Sequence, residues 1–392
     1  MSVRVRLRST TARDRDAQTG LPKETAFKFQ TMGVVFPLAT ETGSSRTYDR
    51  QIEAELRISD VVIDKEPVVL AGYAAGARLL RLDAGGTDAE TTCREVELRA
   101  AIPSRSWRTE FDEKAASRVD WPKEGWPAEA MSTFQPQMYL DLGWNPQTGQ
   151  IEAYDDKPLA DAIERWVKEA GGRDVKSLPP VTLAKFLAAR VWASIEPSRG
   201  DGLIATTQGE LAGIELAAPS MVLANGRATP SEMALLLTAV YRKAGLPART
   251  VIGWDVGADS DRFLKKGGKQ NQIRAWVEFA LYDEVKNTIN WVPVDIVKLR
   301  KMTSRPQSLD REWRFFGTHD ELADIAVIGF QFHPPTDVVS YGSAGFWGWF
   351  VTPEPPVAAE QAISFSATTM AKRAGDTGPG ERGESPSPRR GR

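Results

Sequence analysis

One cysteine, Cys93, and two histidines, His319 and His333, are all that 392 residues offer for thiol or imidazole chemistry. A lone cysteine builds neither a disulfide framework nor a thiolate metal cluster. Two histidines and one distant cysteine also fall short of a usual zinc ligand set, so no metal and no other cofactor is expected. Long apolar runs are missing too: nothing approaches the roughly 20 residues that span a bilayer. The opening Met1-Ser2-Val3-Arg4-Val5-Arg6-Leu7-Arg8 lacks the apolar centre of a signal peptide, and if it is the native start the simplest expectation is a cytoplasmic protein. Excess charge of either sign is absent as well. With 50 Lys and Arg against 52 Asp and Glu, nothing global draws the chain to nucleic acid or an anionic membrane. A hydrophobic content of 41% is slightly low for a compact fold and points to some disordered chain.

What the sequence does contain is organised around residues 228–254. Thr229 is a good N-cap, Pro230 suits the first helical position, and Glu232 stands where a capping box needs it. From Met233 to Val240 nearly every side chain is apolar, which describes a helix buried on all sides. Gly245 supplies a left-handed C-cap and Pro247 blocks continuation. Thr250, Val251 and Ile252, all β-branched, then read as a core strand.

Ahead of this stretch, residues 1–115 alternate with period two. Val3, Val5 and Leu7 interleave with arginines, and Ile52 to Ile58 and Val96 to Ile102 behave alike. Period two means antiparallel strands with one wet face, and the expectation is an N-terminal β-sandwich within residues 1–135. Residues 116–135, with Trp121 and Trp126, read as a connector packed down by tryptophans. Amphipathic helices follow at 160–170 and 181–195, and a long Gly-rich connection spans 198–227. Residues 255–272, around Lys265-Lys266-Gly267-Gly268-Lys269, read as a polar loop. The aromatic run Phe346 to Phe350 is expected to form an edge strand closing the second sheet. Beyond about Ala371 apolar residues vanish, so 366–392 reads as a disordered tail.

The run Ala244-Gly245-Leu246-Pro247-Ala248-Arg249 after an apolar helix resembles a segment of transglutaminase-like (papain-like) proteins. Two further motifs follow in the order that family has them: Arg274-Ala275-Trp276-Val277-Glu278 resembles its His-Ala-Trp-x-Glu, and Trp291-Val292-Pro293-Val294-Asp295 its Trp-x-x-x-Asp. The fold this implies is α+β: an N-terminal antiparallel β-sandwich followed by a transglutaminase-like domain over 136–365. The family's nucleophilic Cys falls on Pro230 and its base His on Arg274; only the acid, Asp295, is retained.

In the family the helix N-terminus favours the thiolate, the His is the base, and the Asp fixes its tautomer. Proline has no atom to replace the thiol, and a guanidinium stays protonated at physiological pH. The leading expectation is therefore a pseudoenzyme whose cleft binds a protein or peptide, with Thr229, Ser231, Glu232, Trp276 and Glu278 as candidate cleft residues. An alternative is a hydrolase or acyltransferase using a displaced nucleophile such as Ser231, and a further alternative is a purely structural module. His319 reads as a turn histidine at a sheet edge, away from the family's base position, and His333 before Pro334-Pro335 as a strand terminator. Asp295, between Val294 and Ile296, needs a partner, and alternation along 273–282 puts Arg274 on the face toward it.

Overall fold

The structure is a computed structural model and describes all residues except 10–17, 19–25, 60, 86–90, 146, 207–208, 257–272, 333–346, 354–358 and 368–392. The loop around Lys265 to Lys269, His333, Phe346 and the tail beyond Ala371 lie outside the described residues. Among the described residues no helix is long and apolar enough to cross a membrane.

The alternating segments are strands: β1 (Ser2–Ser9), β2 (Thr31–Leu38), β3 (Glu53–Ile58), β4 (Val61–Ile63), β5 (Val68–Leu70), β6 (Arg78–Gly85) and β7 (Glu95–Ala101). Val3, Val5 and Leu7 of β1 point into the same core as Val96 and Leu98 of β7 and Val34, Phe36, Leu80 and Leu82 of β2 and β6. Two sheets therefore face one another over a shared apolar layer, as period two requires.

After the connector come α1 (Lys157–Glu169), α2 (Pro180–Ser194), β8 (Leu203–Ala205), β9 (Leu211–Ile214), α3 (Pro219–Asn225) and α4 (Pro230–Lys243). The connector is pinned by its tryptophans: Trp121 Nε1 donates to the Leu178 carbonyl and Trp126 Nε1 to that of Gly245. Then follow β10 (Ala248–Asp255), β11 (Ile273–Asp283), β12 (Thr288–Val294), α5 (Ile296–Met302), β13 (Ile325–Gly329), β14 (Gly348–Thr352) and β15 (Ala359–Ser366). The second sheet has the order β12-β11-β10-β13 and is antiparallel throughout. Helix α4 lies on it and is sealed on every side, from Met233 through Tyr241. Its Thr238 hydroxyl meets that of Thr250 on β10 at 2.8 Å, and Tyr241 donates to the Ala184 carbonyl of α2.

Two expectations are corrected. The segment 348–352 does not close the second sheet; it pairs with β2, giving the order β14-β2-β6-β5 in the first sandwich. Trp347 and Trp349 are buried in the shared core, which provides the driving force for that return. β15 likewise pairs with β1 along its whole length, and the larger sheet reads β8-β9-β15-β1-β7-β3-β4. The connection 198–227 is also not plain loop. Leu211 and Ile214 are buried, and β8 and β9 form a hairpin added to that same sheet.

Candidate functional site

The N-terminus of α4 is built as its residues dictate. Thr229 Oγ1 accepts the Glu232 N–H at 3.3 Å, and Glu232 Oε2 accepts the Thr229 N–H at 2.8 Å, completing the capping box. The other Glu232 oxygen accepts the Ala217 N–H, so this carboxylate is consumed by backbone donors. Thr229 and Ser231 are buried and Pro230 half-buried. At the far end, Gly245 with φ +83° lets its N–H reach the Arg242 carbonyl and the Leu246 N–H reach that of Tyr241, both at 2.9 Å.

Arg274 on β11 does lie against Asp295 at the end of β12: Nη2 donates to Oδ2 at 2.7 Å. The same guanidinium also reaches Glu321 at 3.2 Å and Asp255 at 3.4 Å. Asp295 Oδ1 accepts the Lys298 N–H at 2.9 Å and so caps α5. Burial pushes the Asp295 carboxyl up, but the His319 hydrogen bond and the Arg274 charge more than reverse that, holding it down to about 2.

His319 is where the sequence reading falls short. It lies at the end of a turn beside the edge strand β12, as read, but it is completely buried and its Nε2 stands 3.2 Å from Asp295 Oδ2. A carboxylate offers no proton, so Nε2 carries the one between them. The ring's Nδ1 has no hydrogen-bond partner among the described residues. The cause is long-range. Thr109 and His319 exchange backbone hydrogen bonds, folding the turn 315–319 under residues 107–111. The Phe315 ring closes the imidazole from the side, 4.7 Å between centroids. No hydrogen bond joins Ser231 to His319, the two groups a displaced hydrolase would need, among the described residues.

The remaining motif residues form a different constellation. Arg249, from the Pro-Ala-Arg segment, donates through Nε and Nη2 to Glu278 Oε2 at 3.0 and 2.8 Å. Its guanidinium lies between the rings of Trp291 and Phe330, 3.8 and 4.0 Å from their centroids. Glu278 Oε1 accepts the N–H of Gly43, and Arg249 Nη2 also donates to the Glu41 carbonyl. Burial works against both charges, pushing Glu278 up and Arg249 down, and their mutual attraction opposes it. Trp276 and Glu278, named as cleft residues from sequence, are fully buried, and Glu278 ties the 41–45 turn of the sandwich to the second sheet.

The cavity that does open here, about 930 Å³, runs between residues 107–112 and the outer edge of β12. Pro230, Ser231, Arg274 and Asp295 do not line it.

A buried, doubly capped helix on an antiparallel sheet, with an acid at a strand end and an aromatic-flanked Arg–Glu pair, makes this part of the chain an α+β domain. Residues 209–296 match the transglutaminase-like superfamily, and the chain carries a domain of that superfamily. The match contains Pro230, Arg274 and Asp295 and ends before His319. No curated protein sequence matches the chain. Among solved structures, a candidate cysteine protease from Cytophaga hutchinsonii is 11% identical, with 93% of this chain and 98% of that one covered at a TM-score of 0.38. Red sea bream transglutaminase is 12% identical, with 67% of this chain and 48% of that one covered at a TM-score of 0.28. Both scores are low, and the family assignment rests on the matched segment.

Proposed function

We propose that this protein is a catalytically inactive transglutaminase-like module that binds a protein or peptide without cleaving or cross-linking it. One observation carries the reading: at the position of the base stands Arg274, held by Asp295 at 2.7 Å, while the nucleophile position is Pro230. A permanently protonated guanidinium accepts no proton, and it occupies the acid that would orient a base. Cys93 offers no substitute, because burial pushes its thiol up to about 11. The test is a fluorogenic peptidase panel run beside an amine-incorporation assay on the full chain. The expected result is no turnover above buffer in either; turnover that survives gel filtration with the protein would sink the reading.

A second reading, hydrolysis with Ser231 as nucleophile, is favoured by the His319–Asp295 contact and the unpartnered Nδ1. It requires an opening that brings Ser231 and His319 together. If the same assays give turnover that Ser231→Ala and His319→Gln each abolish, this reading replaces the first.

A further inference from the structure

Strand β12 ends the second sheet, and its outer edge is only half covered. Asp295 N–H bonds to the Phe315 carbonyl and Gly317 N–H to that of Pro293, so odd-numbered residues turn their backbone groups outward. In the ladder to β11, Val292 and Asn290 face Phe279 and Leu281, consistent with that phase. Trp291 and Ile289 therefore present their backbone groups outward as well, and no backbone hydrogen bond meets them there among the described residues. Gly43 closes the C-terminal end, approaching the Trp291 carbonyl so closely that a Cβ would stand 2.3 Å from it. What stays open is the Trp291 N–H with the N–H and carbonyl of Ile289: two donors and an acceptor along one strand edge.

These groups face the groove of about 930 Å³, whose opposite wall is the extended chain 107–112. On that wall the N–H groups of Trp107, Thr109 and Phe111 are used on the far side, by Ser44, His319 and Thr318. The groove is acidic: Glu41, Glu110, Asp112, Glu129 and Asp283 line it against Arg108 and Lys286. Both cations are already paired, Arg108 with Glu110 and Lys286 with Asp283. Among the described residues no ion pair is made by Glu41, Asp112 or Glu129 with the other groove-lining side chains; the buried Arg249, which acts electrostatically on Glu41 and Glu129, is already held by Glu278. Two copies of such an edge repel each other, which argues against self-pairing and for a cationic ligand.

We propose that this groove docks an extended, net-cationic peptide segment of another protein, which adds to β12 as a further strand. Main-chain hydrogen bonds to Trp291 and Ile289 supply register, and the carboxylates select the charge. The proposal rests on the peptide-binding reading above, and it seats the peptide at the sheet edge, away from Pro230 and Arg274.

The experiment uses the labelled full chain on an array of acetylated, amidated hexapeptides with net charge from about −3 to +3. The strongest binder is then titrated by fluorescence anisotropy. Binding should rise with positive charge and fall with salt. Ile289→Pro removes one outward donor without touching the ladder to β11, a substitution that edge strands tolerate, and should weaken binding about tenfold. Glu110→Lys, at an exposed side chain, should weaken it about threefold while leaving the fold untouched. Binding indifferent to peptide charge and to both variants, or no binding anywhere on the array, overturns the proposal. Peptide that binds by these criteria and is returned cleaved upholds the groove and overturns the inactive reading.

Discussion

Arg249 places two donors on a single oxygen of Glu278, at 3.0 and 2.8 Å, in a site sealed from water. The other oxygen takes the Gly43 N–H, so one carboxylate joins β10, β11 and the sandwich turn. Removing one partner strands the other. Arg249→Met should cost about 3–5 kcal/mol in urea denaturation, whereas Arg249→Met with Glu278→Leu should cost less than the single change. A double variant less stable than the single would show that the pair stabilises through its charges.

Acid should weaken the fold through Asp295. Its carboxyl is held at about 2 in the folded chain, below the unfolded range. The unfolded state thus takes up a proton first as pH falls. The contribution is complete above about pH 4 and is lost as pH drops through about 2. It amounts to about 2 kcal/mol. Denaturation midpoints between about pH 6 and 2 should fall less steeply in Asp295→Asn than in the unaltered chain; parallel curves would assign the acid sensitivity elsewhere.

Pro230→Cys returns a thiol to the first turn of α4, where free N–H groups and the helix dipole favour thiolate. That thiol should alkylate faster than a free cysteine at neutral pH and titrate below the usual 8.5 or so. Peptidase activity should not return, even with Arg274→His alongside, unless the imidazole displaces the ion network around Asp295. The check is the pH dependence of iodoacetamide uptake, read beside the peptidase panel.

Cys93 itself should be inert. It is buried, and with its thiol near 11 only about one in a thousand is thiolate at pH 8. Alkylation should appear only as the chain unfolds, so thiol uptake in rising urea should track loss of the circular dichroism signal. Rapid labelling of the native protein would contradict the burial.

The sequence was most legible where its signals are local. Thr229, Pro230, Glu232 and Gly245 punctuate one helix within 17 residues, and each sits in the geometry its side chain dictates. Alternation along β11 was enough to bring Arg274 to Asp295. His319 was opaque because nothing near it in sequence specifies burial; its place is set by pairing with Thr109, some 210 residues away. The Arg249–Glu278 pair was visible only as motif letters. Its partner Gly43 lies in a turn whose sequence reads as ordinary loop, and the sheet edge at Ile289 reads as plain strand. The return of β14 and β15 to the sandwich failed for the same reason: period two announces a strand but not which sheet it joins.

That return has a consequence for synthesis. Strand β1 is synthesised before every other strand described, yet one of its two neighbours, β15, spans Ala359–Ser366. At roughly 5–20 residues per second, the gap between β7 and β15 lasts about 13–50 s, during which β1 has one edge unpaired. Residues 102–358, the matched segment 209–296 among them, are made within that interval. The nascent sandwich is thus a half-finished sheet with an exposed, hydrogen-bond-hungry flank, the kind of species that chaperones shield. A chain halted after residue 135 would never leave that condition, so the first sandwich expressed by itself should collect in the insoluble fraction while the full chain does not.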